Sequence, residues 1–398
     1  MRLFLVAAMA APLTAAPFLE RTNLFEELTD GYTLYRIPGI VVTAQGSVLA
    51  YAEARKFSVA DRGEIEIHLR RSTDGGKSWD RARQIAHRGP RLARNPHMSE
   101  AKRKKDMGGP DEQTVNNPIA IADRDGPVHF LYCIEYMRCF YLRSDDDGVS
   151  WSKPTEITYA FEGLRSELDW QVIATGPGHG IQLVSGRLIA PFWMATYEQG
   201  APLRKASAVI YSDDSGQTWR GGDIAIRLGG ESIAAELSDG SVLISARNTD
   251  PRNRRLVAVS PNGATDWSKP RFAEELLEPG CAAGLVRHPG DSATGGPFLL
   301  YSNPHTTDRR HSRRMDVTIK LSRDDGRTWP VSKLLHAGPS AYSDLAVLPD
   351  GTILCFYESG PPEQMIRAGS KPRYWAYQFL TIARFNFEWL VDHGTNPR

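Results

Sequence analysis

The sequence predicts an all-β protein of about six four-stranded antiparallel units arranged radially, and three observations predict it. A short pattern, Ser-x-Asp-x-Gly-x-Ser/Thr-Trp, stands at residues 72–79, 144–151, 212–219 and 322–329. The starts are separated by 72, 68 and 110 residues, so one structural unit repeats along the chain. Between the copies, short apolar runs alternate with turn residues, and no long amphipathic helix interrupts them.

Each copy reads as a hairpin. The Asp accepts bonds from nearby backbone N–H groups, the Gly supplies a positive φ, and the Trp packs under the turn. The 110-residue gap conceals a degenerate copy at residues 260–267, SPNGATDW, in which Asn262 replaces the Asp and the glycine is displaced. With it the repeat is roughly 50 to 70 residues long, and about six units fit the chain. Candidate strands follow in order at residues 40–50, 65–71, 128–134, 241–246, 298–302 and 352–357, most of them closed by Asp-Gly, Asn-Gly or Gly-Pro. A β-propeller satisfies both the repeat and the strand density. A β-sandwich is the alternative, but it needs no recurring hairpin signature.

Residues 1–16, MRLFLVAAMAAPLTAA, carry one positive charge at Arg2, an apolar stretch from Leu3, and small residues at Thr14 and Ala16. This pattern predicts a secretory signal cleaved near Ala16, its apolar run being too short to span a membrane. Residues 17–398 are expected to form one domain, secreted or periplasmic, without membrane insertion and monomeric. No Pro/Gly/Ser-rich linker divides them. Residues 94–113 read as an inserted loop whose Lys and Arg run is solvated. A formal net charge of +1 excludes a general polyanion binder, so no nucleic acid partner is expected. Four cysteines, Cys133, Cys139, Cys281 and Cys355, are too few for a disulfide scaffold, although Cys133 and Cys139 could face one another on neighbouring strands. The absence of an Asn-x-Ser/Thr sequon suits a bacterial exported protein.

Three arginines stand at strand ends. Arg36 lies in YRIP at the start of the first clear strand, Arg247 ends the strand of ELSDGSVLISAR, and Arg314 precedes VTIKLS. In a radial fold such positions converge, and a cluster of guanidinium groups is costly unless an anion occupies it. Planar guanidiniums clamp a carboxylate well.

The chain resembles the bacterial-type exo-α-sialidases, or neuraminidases. The resemblance runs through YRIP at 35–38, LRRSTDGGKSW at 69–79, GPGHGIQL at 176–183, ESIAAELSDGSVLISAR at 231–247, YSNP at 301–304, AYSDL at 341–345 and LPDGTILCFYE at 348–358. It implies a six-bladed propeller whose arginine triad, here Arg36, Arg247 and Arg314, holds the carboxylate of sialic acid. Arg313 is adjacent, and counting back from TIKLSRDDGRTW favours Arg314. Glu358, at the end of the last strand, matches the acid that orients the first arginine. Sialic acid bears its carboxylate on the anomeric carbon, so a carboxylate nucleophile would approach against like charge; the family uses a tyrosine. Tyr342 matches it. With an ordinary pKa of ~10, that phenol needs a base and a positive surround, and Glu231 matches the base. The Gly230 before it replaces an Asn common in the family.

Asp61 matches the general acid, on a loop over the mouth. Glu64 and Glu66 are nearby alternatives, but they follow the alternating strand pattern and are expected to face solvent. Arg55 resembles an auxiliary arginine in contact with substrate. Trp193 and Asn117 stand where relatives approach the sugar substituents, and each reads equally well as packing. GPGHG lacks the helix and spacing of a phosphate loop and is expected to be a turn. SDDDGVSW lacks the terminal Glu of an EF-hand, and the ten histidines show no zinc spacing, so no metal or cofactor is required. The expected substrates are sialylated glycans, glycoproteins or glycolipids. A carbohydrate-binding propeller without turnover needs the arginines but not the set Asp61, Glu231 and Tyr342. A hydrolase or transferase for a related 2-keto-3-deoxy sugar acid would keep the same core.

Overall fold

The computed structural model describes residues 15–86, 90–97, 109, 111–197, 203–310, 314–361 and 375–392. The expected leader lies outside them except for Ala15 and Ala16, as does Arg313. Much of the expected 94–113 loop also lies outside.

The described residues fold as consecutive β-meanders. The strands Leu34–Val42, Val48–Arg55, Ile65–Ser72 and Arg83–Ala86 pair in chain order. Next come Val115–Ala122, Val128–Ile134, Arg138–Ser144 and Thr155–Glu156, joined in parallel by Gly178–His179. The third unit centres on Leu188–Thr196 and Arg204–Ser212, and the fourth runs Ser232–Glu236, Val242–Ala246, Arg254–Ser260 and Arg271–Leu277. A seven-stranded sheet holds the rest, and the 17-residue strand Val331–Val347 divides it. The first half of that strand pairs with Met315–Ser322, and its second half with Ile353–Ser359. Beyond Ile353–Ser359 lie Phe379–Phe385 and then Leu19–Glu26 from the start of the chain.

Each pattern copy begins on the last residue of a unit's third strand: Ser72, Ser144, Ser212, Ser260 and Ser322. In the first, Asp74 Oδ1 accepts from the N–H groups of Lys77 and Ser78 at 3.0 and 2.9 Å, while Ser72 Oγ accepts from Gly76 N–H at 2.9 Å. The degenerate copy keeps this logic. Asn262 Oδ1 accepts from Ala264 and Thr265 N–H at 2.8 and 2.9 Å, and the displaced Gly263 supplies the positive φ of 73° one residue early. The residue after the box Asp does a second job. Asp147 accepts from Thr43, Ser47 and Arg71 of the preceding unit, and Asp325 accepts from Ser238 of its own preceding unit.

Six apolar clusters each join two consecutive units, and one of them packs Leu24, Phe356 and Ile382 of the last unit against Ile40 and Ala50 of the first. The box tryptophans close these seams: Trp219 and Trp329 are buried, and Trp79, Trp151 and Trp267 are half-buried. Replacing Asp324 with Ala removes the charged acceptor of two backbone N–H groups and of the Ser322 and Thr328 hydroxyls, leaving the exposed donors to water. Unfolding free energy should fall by about 1–3 kcal/mol, read as a lower melting temperature, with activity at 25 °C unchanged.

Several expectations change. Residues 40–50 are two strands separated by a turn, because Thr43 O accepts from Gly46 N–H and Thr43 N–H bonds Ser47 O. Glu358 is not on the last strand, since Phe379–Phe385 and the N-terminal strand lie outside it. Glu64 and Glu66 are half-buried and committed, Glu64 to Gln113 N–H at 2.9 Å and Glu66 to the Tyr32 hydroxyl at 2.5 Å. Within GPGHG, Gly178 and His179 add to a sheet edge, and His179 Nδ1 lies 2.8 Å from Asp344. Cys133 and Cys139 do face each other across neighbouring strands, and all four cysteines are buried free thiols. No helix among the described residues is long and apolar enough to cross a membrane.

Candidate active site

Adjacent antiparallel strands bring the start of a unit's first strand, the end of its second and the start of its third to one edge. Arg36, Asn117 and Tyr342 lie on inner strands; Arg247 follows a second strand; Arg314 precedes a third. The inner strands carry register shifts beside these residues, between Arg36 and Gly39, Asn116 and Ile119, and Ser340 and Ser343. Ile37 and Asn117 have φ values of 60° and 53°. Bulges of this kind re-aim side chains that a regular pleat would bury between units.

Arg36, Asp61, Asn117, Trp193, Glu231, Arg247, Arg314 and Tyr342 together line one cavity of about 240 Å³. A larger cavity, about 680 Å³, lies at the far ends of the inner strands. Its charged residues are already committed to turns: Glu236 to Val184 N–H, Asp123 to Gln182, Arg287 to Asp325. The smaller cavity holds the unusual chemistry.

Tyr342 is its centre. The phenol oxygen lies 2.7 Å from both carboxylate oxygens of Glu231, to which it donates, and accepts from Arg247 Nη1 at 2.8 Å. Arg247 also pairs with Glu231 at 2.7 Å. The guanidinium carbons of Arg36 and Arg314 lie 5.2 and 5.3 Å from the Tyr342 ring centroid. Burial and then the Glu231 charge push the phenol well above its ordinary range, against the pull of the three arginines. Burial pushes Glu231 up, but Arg247, the Tyr342 hydrogen bond and Arg314 together hold it low. The resting pair is therefore a neutral phenol hydrogen-bonded to a carboxylate.

Arg36 is fixed from behind. Glu358, fully buried, accepts from Arg36 Nε at 2.8 Å and Nη2 at 3.2 Å, and from the N–H groups of Ile37 and Tyr342 at 3.1 and 3.0 Å. Arg314 has no carboxylate partner among the described residues. Its Nη1 donates to the Tyr377 hydroxyl at 3.0 Å, its Nη2 to Gly280 O, and its buried Nε to nothing described. One guanidinium edge is thus left for an anion.

Asp61 sits over the mouth with 61% of its side chain exposed, 2.9 Å from Arg55 Nη1 and 3.7 Å from Arg36 Nη1. Enclosure pushes its carboxyl up, but Arg55 and then Arg36 outweigh this and hold it below the usual range. Water screens part of that field. Arg55 departs from the expected substrate contact: it is buried behind Asp61 and gripped by Glu53 at 2.8 Å. Trp193 and Asn117 line the cavity, and Asn117 N–H is fixed by Glu53 at 2.9 Å. Glu53 was legible in part, since Glu and Arg two apart in the apolar strand AEAR share a face. Tyr136, Tyr197, Lys205 and Arg62 also line the cavity, without any local sequence signal. No group of three His, Cys, Asp or Glu among the described residues is placed to hold a metal ion.

The sequence profile of the BNR repeat-like domain family matches residues 46–355. The chain belongs to the BNR repeat-like domain family. It is similar to a sialidase of Micromonospora viridifaciens, 32% identical over 398 residues that cover 97% of this chain and 56% of that protein. A sialidase of Bacteroides fragilis is 29% identical over 360 residues, covering 85% of this chain and 62% of its own. The chain thus spans little more than half the length of these two bacterial sialidases. Among solved structures, a Hadza microbial sialidase, Hz136, superposes with a TM-score of 0.72 at 25% identity, covering 93% of this chain and 69% of that one.

Proposed function

We propose that the protein is an exo-α-sialidase that releases terminal α-linked sialic acid with retention of configuration, on a single six-bladed propeller. The cyclic order of the six apolar seams supports the propeller. The observation that carries the activity is the Tyr342 hydroxyl held 2.7 Å from Glu231 inside a ring of three arginines.

Arg36, Arg247 and Arg314 bind the substrate carboxylate, and this places the anomeric carbon over the Tyr342 oxygen. Tyr342 attacks as Glu231 takes its proton, while Asp61 protonates the departing glycosidic oxygen. Arg247, 2.8 Å from the phenol oxygen, stabilises the negative charge that develops there as its proton leaves for Glu231. Asp61 then deprotonates water, which attacks the anomeric carbon, and the Tyr342 to sugar bond breaks as Glu231 returns its proton. Purified protein should release 4-methylumbelliferone from its N-acetylneuraminic acid conjugate. Correctly folded protein without such release would sink the assignment. The same assay with the deaminated sugar separates the two sugar acid classes.

The charge count around the cavity predicts proton linkage. Arg36, Arg55, Arg62, Lys205, Arg247 and Arg314 face Glu53, Asp61, Glu231 and Glu358, so a bound carboxylate reduces a positive excess. It also offsets the arginines that hold Asp61 low. The Asp61 pKa is then higher in the complex than in the free protein, binding takes up a proton between the two values, and affinity rises as pH falls through that window. Calorimetry with the unreactive 2,3-dehydro sugar acid, in buffers of different ionisation enthalpy, should show this uptake in wild type and lose it in Asp61→Asn. Equal uptake in both proteins would exclude Asp61 as the coupled group.

A further inference from the structure

Two of the three arginines have a carboxylate to orient them, Arg36 with Glu358 and Arg247 with Glu231. Arg314 has only a phenol and the Gly280 carbonyl. A guanidinium aimed by one backbone carbonyl is only as well placed as that carbonyl. What holds Gly280 therefore matters to the clamp.

Gly280 sits in a Pro-Gly turn with φ +75°, and a Cβ there would lie 3.7 Å from Arg247 Nη2. Its N–H donates to Glu278 Oε1 at 2.7 Å. The other oxygen, Oε2, takes Arg255 Nη1 at 2.8 Å, and both side chains are completely buried. Arg255 gives three further donors to backbone and hydroxyl acceptors: Cys281 O at 3.0 Å, Ser245 O at 3.1 Å and Ser245 Oγ at 3.3 Å. Ser245 belongs to Val242–Ala246, the strand that Arg247 follows. The pair thus fastens the turn that holds Arg314 to the strand that presents Arg247.

We propose that Glu278, paired with Arg255, is a positioning residue that sets Arg314 against Arg247 through the Gly280 carbonyl, an inference that rests on the sialidase reading above. Neither side chain lines the cavity, so neither touches substrate. A buried ion pair adds little net stability over well-packed apolar side chains of similar volume. What it supplies instead is the geometry it imposes on the two arginines.

The test is the double variant E278M/R255M, with E278Q beside it. The double variant removes both charges together, so it leaves neither group buried alone. It should melt within a few degrees of wild type, raise KM for the methylumbelliferyl substrate about tenfold with kcat changed far less, and weaken the 2,3-dehydro sugar acid by the same factor. E278Q should raise KM similarly and melt lower. Either variant folded with wild-type KM, whether or not its melting temperature drops, makes the pair a purely structural one and overturns the proposal. Wild-type protein without turnover overturns the sialidase reading, and the positioning role with it.

Discussion

Tyr342→Phe is expected to lower kcat by roughly 10³-fold or more while leaving the affinity for the 2,3-dehydro sugar acid within a few-fold of wild type. The substitution removes one oxygen and keeps the ring that packs between Arg36 and Arg314. Glu231 and Arg247 keep their own contact at 2.7 Å, so no charge is left uncompensated. Carboxylate binding survives and covalent chemistry does not. In Glu231→Gln the carboxylate charge that raises the phenol is gone while the three arginines that lower it remain, so raising pH should restore part of the slow attack. A 3-fluorosialyl fluoride should label wild type on Tyr342, located by peptide mass, and leave Tyr342→Phe unlabelled. Labelling of another residue in both proteins would transfer the nucleophile elsewhere.

The architecture was legible because its signal is local and repeated. A box of eight residues contains its own hydrogen-bond partners, and even Asn262 with a displaced Gly263 preserves them. The last unit shows where local reading stops. Its third strand, Phe379–Phe385, ends without a box, and there the Asn386 side chain accepts from Trp389 and Phe18 N–H instead. Its outer strand, Leu19–Glu26, buries only Leu24 and Phe25, too few to register as a strand pattern. The site divides in the same way. Arg36, Arg247, Arg314, Glu231 and Tyr342 sit in recognisable strings, and the structure gathers them around one cavity. Arg55 looked like a substrate contact because sequence cannot tell an arginine facing a pocket from one held behind a carboxylate by Glu53. Glu278, Arg255 and Tyr377 act across contacts between residues 23 to 63 positions apart, with no shared motif.

Glu358→Ala should be costly in a different way, because this carboxylate joins stability to catalysis. It is fully buried and accepts four hydrogen bonds, two from Arg36 and one each from the N–H groups of Ile37 and Tyr342. Alanine leaves the buried Arg36 guanidinium without its counter-charge and strands two backbone donors. Breaking a buried pair from one side costs about 3–5 kcal/mol, which urea denaturation should register as a lower midpoint with little change in slope. The two stranded donors belong to bulged strands that carry Arg36 and Tyr342. The folded fraction should therefore also lose aim at both groups, with KM up about tenfold or more and kcat down. Glu358→Gln keeps the shape but presents an amide NH₂ to donors, so it should fall between alanine and wild type. The contrast with the other variants is the informative part. Asp324→Ala should lower only stability, Tyr342→Phe only turnover, and Glu358→Ala both. A Glu358→Ala protein as stable as wild type and with unaltered KM would mean that Arg36 is aimed without this carboxylate.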